Sequence, residues 1–156
     1  MLAAMGKDRE RARGLFEAAQ DEWIDAVRSH QQAPPDAGFS ARLAALAHAA
    51  DRRAKGCAAA AEAGFEWTPL QARGPQTPYE LRPGTGRRGP EKLWERFDVA
   101  VEDLNGVAAG RSMRAVGRAY AELAEVAAQL ARAVEKEDRA SGLLAPAPRR
   151  AARRSA

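Results

Sequence analysis

The chain has 156 residues, which suits one domain, and carries 25 basic against 21 acidic residues. Its single cysteine, Cys57, excludes an internal disulfide and any metal site built from several thiolates. One Ile, seven Val and three Thr are too few for a sheet-dominated fold, and alanine, the strongest helix former, fills roughly a quarter of all positions.

The excess charge has a location. Arg149, Arg150, Arg153 and Arg154 lie in the last eight residues, and without them basic and acidic residues balance at 21 each. The expected folded body is therefore neutral, unlike a protein whose whole surface attracts polyanions. Alanine also supplies about half of the apolar residues, so the core should be thin at roughly 25 cal/mol per Å² buried. A thin core favours borrowing area from a second copy, and a homodimer through an Ala-rich face is expected. No apolar run approaches the roughly 18 residues of a membrane span. Met1–Met5 is too short for a signal-peptide core. With the lone cysteine, this leads to the expectation of a cytoplasmic protein that does not enter membranes.

The first helix is expected over residues 7–31. Phe16, Gln20, Trp23 and Val27 share a face, flanked by Leu15, Ala19 and Ile24. Pro34-Pro35 stops it, and the short link that follows makes helices one and two antiparallel neighbours. The second helix, residues 40–63, has Ser40 as its expected cap. Its stripe is Leu43, Ala47, Ala50, Ala54, Cys57, Ala61 and Gly64, a heptad spacing made almost entirely of small residues. Gly64-Phe65 fits a left-handed C-terminal cap.

Residues 66–90 have no helical period and hold five prolines and four glycines. Loops this long inside a compact domain tend to be functional or disordered. Trp67 and Leu70 are expected to pin its first part to the bundle. The third helix, 91–108, opens after Pro90 and repeats Leu93, Phe97, Ala100, Leu104 and Val107. The fourth, 112–139, has the clearest stripe: Met113, Val116, Tyr120, Leu123, Ala127, Leu130 and Val134, an a/d heptad capped by Ser112 and closed by Ser141-Gly142. Residues 143–156 hold Pro, Ala and Arg with no stripe to bury, and are expected to form a disordered basic tail. The resulting fold class is an all-α four-helix bundle of two helical hairpins in one domain, residues 1–142. Its topology is open between up-down-up-down and a crossover.

Chemistry-bearing patterns are sparse. Gly84-Thr85-Gly86-Arg87-Arg88-Gly89 matches G-x-G-x-x-G, but the dinucleotide site that spacing serves needs a preceding strand, and Pro83 stands there instead. His30 and His48 are the only histidines, and His48 with Asp51 makes at most half a metal site. Cys57 sits mid-helix among alanines, as a buried small residue would. No catalytic constellation emerges, so neither an enzyme nor a cofactor is expected.

The leading expectation is a non-catalytic cytoplasmic interaction or adaptor protein. It binds a protein partner through loop 79–89, with Tyr79, Arg82, Arg87 and Arg88 as contact residues, or through a helix face. The alternative is a nucleic-acid-associated regulator. It uses the Arg-rich loop and the tail residues Arg149, Arg150, Arg153 and Arg154, whose contact is weak and nonspecific, with Arg111, Arg114 and Arg118 at the start of helix four, where cations oppose the helix dipole.

Overall fold

The computed structural model describes residues 2–32, 38–67 and 89–144, with side chains from Gly6 to His30 in the first segment. It contains four helices: α1 (Leu2–Gln32), α2 (Phe39–Glu62), α3 (Glu91–Ala108) and α4 (Met113–Ala140). There is no strand among the described residues. The expected all-α four-helix bundle is the observed fold. Most of the long connection (68–88) and the end of the chain (145–156) lie outside the described residues.

The helix ends follow local chemistry. The Ser112 hydroxyl accepts from the Ala115 amide at 3.1 Å and caps α4. Gly64 adopts φ 85°, and the Phe65 amide reaches back to the Ala60 carbonyl at 2.9 Å, closing α2 as the Gly-Phe pair implies. Two ends differ from the spacing-based reading. α1 begins at Leu2, ahead of Lys7, because Leu2-Ala3-Ala4-Met5 are all strong helix formers even without a stripe to bury. Ser40 does not cap α2. The helix starts at Phe39 behind Gly38, no side chain caps it, and Ser40 is buried within its first turn.

Contacts between the helices fix their directions. Along α1 and α2, Arg9 stacks on Phe65, Glu22 pairs with Arg52 at 3.1 Å, and His30 stacks on Phe39, so the two run antiparallel. Along α2 and α4, Gly117 meets Cys57 and Arg53 bonds Tyr120, while the ends Ser40 and Glu135 border one groove, so this pair is antiparallel too. Arg96 bonds Gln129 at 3.0 Å and Gly89 abuts Leu130 and Val134, which makes α3 antiparallel to α4. Helices α2 and α3 therefore run parallel. The topology is up-down-down-up, so α2 ends and α3 begins at opposite ends of the bundle.

The start of the connection between α2 and α3 is pinned as expected for Trp67. Its amide donates to the Arg111 carbonyl at 2.9 Å and its Nε1–H to the Ala108 carbonyl at 2.8 Å. These bonds satisfy carbonyls at the α3–α4 turn that the helix itself leaves open. Leu70 lies outside the described residues. Near Trp67 sits Arg53, which is fully buried. Its guanidinium lies 5.1 Å from the Phe16 ring, 5.2 Å from Tyr120 and 5.4 Å from Trp67. Three ring faces replace part of the water this cation loses, an arrangement worth about 2 kcal/mol or more per desolvated contact.

Helix α4 carries two stripes. The large one, from Met113 to Val134, is wholly buried in the core. The second is displaced by one residue: Gly117, Ala121, Ala124, Ala128 and Ala131. It faces α2, where the two helices approach closely. A Cβ on Gly117 would stand 3.0 Å from the Cys57 Cβ and 3.4 Å from the Ala54 carbonyl oxygen. Small residues on both sides bring the axes toward the short end of the usual range of about 8–10 Å. The α2–α4 contact is the most extensive in the molecule. The Ala-rich stripe of α2 is thus covered within the chain, where the sequence suggested a surface for a second copy.

Candidate binding groove

Because α2 and α4 lie so close, their outer sides form a shallow trough. One half, of about 600 Å³, runs between Ser40, Ala44 and His48 on α2 and Ala121, Ala128 and Glu135 on α4. The other half, of about 430 Å³, is bordered by Lys55 and Ala58 on α2 and by Arg114, Gly117 and Arg118 on α4. Asp51 and Ala121 belong to both halves, so the trough is continuous and these two residues mark its middle. Its floor is methyl groups and its rims are charged.

The rims are partly paired. Lys55 holds Asp51 at 2.9 Å, and Arg139 holds Glu135 at 2.7 Å. His48 lies 3.7 Å from Glu22 of α1. His48 and Asp51 do share a face, as their spacing implies, but among the described residues no group of His, Cys, Asp and Glu is arranged to hold a metal. Arg114 and Arg118 are exposed on one rim at i and i+4, where like charges destabilise a helix by about 0.2–0.5 kcal/mol.

Cys57 lies beneath the trough, fully buried against Gly117. Burial pushes its thiol up to about 11, against a smaller opposing effect of the Arg53 charge. It is a packing residue, as its alanine-rich surroundings suggest. Tyr120 is likewise raised by burial, with the charge and hydrogen bond of Arg53 acting the other way.

The sequence-derived contact residues divide in two. Tyr79, Arg82, Arg87 and Arg88, and Arg149, Arg150, Arg153 and Arg154, lie outside the described residues. Arg111, Arg114 and Arg118 are described and exposed, at the start of α4. The structure brings Arg114 and Arg118 onto the trough, while the Arg111 carbonyl receives Trp67. Helix α4 does not present itself as a free recognition helix: Met113, Val116 and Tyr120, in the same turns as these arginines, are core residues.

Sequence reasoning missed Ala44, Ala121 and Ala128. Their signal is the small-residue stripe of α4, one position beyond the large stripe and with the same alternation of three and four. Among the described residues, no helix is long and apolar enough to cross a membrane. No family model, no curated protein and no solved structure matches this chain.

Proposed function

We propose that the protein is a non-catalytic helical interaction module, and that the trough between α2 and α4 seats a helix of a protein partner. One observation carries this reading: the outer side of the α2–α4 pair is a continuous methyl-floored channel with charged rims. A helix with small residues along one face fits such a channel with its axis close to α2 and α4, and its flanking charges meet the rims. Loop 79–89, with Tyr79, Arg82, Arg87 and Arg88, is a second contact region on sequence grounds. A cytoplasmic setting accords with the single reduced, buried Cys57.

The test is retention from native lysate on the wild-type protein and on Ala44→Glu. Ala44 is exposed, so the substitution blocks the trough without entering the core. Protein partners held by the wild type should be lost with the variant and be indifferent to nuclease. Equal retention by both proteins would refute the trough as the binding surface. A second reading, nucleic-acid association, draws on the exposed run of Arg111, Arg114 and Arg118. Its signature is retention abolished by nuclease and weakened steeply by salt.

A further inference from the structure

We draw no further inference here: the strongest candidate, the groove on the outer side of α3 and α4 where Glu95, Asp103, Glu122 and Glu125 border the exposed Val99, is a run of carboxylates beside one valine, and nothing in the structure shows what covers it.

Discussion

Acidification should loosen the end of the bundle where α1 meets α2, through His30. This side chain is 4% exposed, stacks on Phe39 at 5.8 Å, and has no hydrogen-bond partner on either ring nitrogen among the described residues. Burial, and to a smaller extent the nearby Arg42 charge, lower its pKa from 6.5 to about 4. The folded state thus holds the neutral ring, whereas the unfolded chain takes up a proton near pH 6.5. Stability from this group is complete above pH 6.5 and is lost as pH falls toward 4. The full difference of about 2.5 pH units is worth about 3 kcal/mol at 1.36 kcal/mol per unit, of which about 2 kcal/mol is gone by pH 5. For a domain of this size that lowers the melting temperature by roughly 4–8 °C. Urea or thermal unfolding at pH 7 and pH 5 reads the effect, with His30→Phe as the control. Phenylalanine keeps the ring stack and removes two buried nitrogens that lack partners among the described residues, so it should be neutral or stabilising at pH 7 and should flatten the slope. Parallel loss of stability in both proteins between pH 7 and 5 would refute the role of His30, as would a wild type that is equally stable at both.

Other substitutions probe the packing. Leu123→Asp puts a carboxylate at a fully buried position of the large α4 stripe and should abolish cooperative unfolding, measured by circular dichroism. Trp67→Phe keeps an aromatic face for Arg53 but removes the Nε1–H bond to Ala108, and should cost about 1–2 kcal/mol in urea denaturation. Cys57 is buried with its thiol pushed up to about 11, so a thiol reagent at pH 8 should label it only at the rate of unfolding; fast labelling of the native protein would contradict its placement.

Much of the fold is legible because large apolar side chains have only one good place to go. The alternation of Met113, Val116, Tyr120, Leu123, Leu130 and Val134 marks a buried stripe on sight, and Ser112, Gly64 and Pro90 mark helix ends through their own backbone chemistry. The trough was illegible for the opposite reason. Alanine is tolerated inside and outside alike, so spacing does not separate buried Ala124 from exposed Ala121 three residues earlier. The stripe of α2 was recognised as small, but whether a neighbouring helix or a second molecule covers it depends on tertiary arrangement. Arg53 reads as a surface residue in one dimension. Its burial becomes intelligible only when Phe16, Tyr120 and Trp67, from three distant segments, close around it. Helix direction is likewise absent from periodicity, and the parallel course of α2 and α3 emerged from contacts alone.

That parallel course bears on the order in which the molecule assembles. The α1–α2 and α3–α4 contacts are between sequence neighbours and close short loops, whereas the α2–α4 contact joins helices separated in sequence by the long connection and α3. Loop-closure entropy makes such a non-local pairing the late event. The two hairpins should therefore form first and the Gly117–Cys57 approach last. Gly117→Val, which crowds that approach, should then speed unfolding several-fold while leaving the refolding rate nearly unchanged. The close α2–α4 approach of the native protein would thus be a part its folding transition state has yet to make.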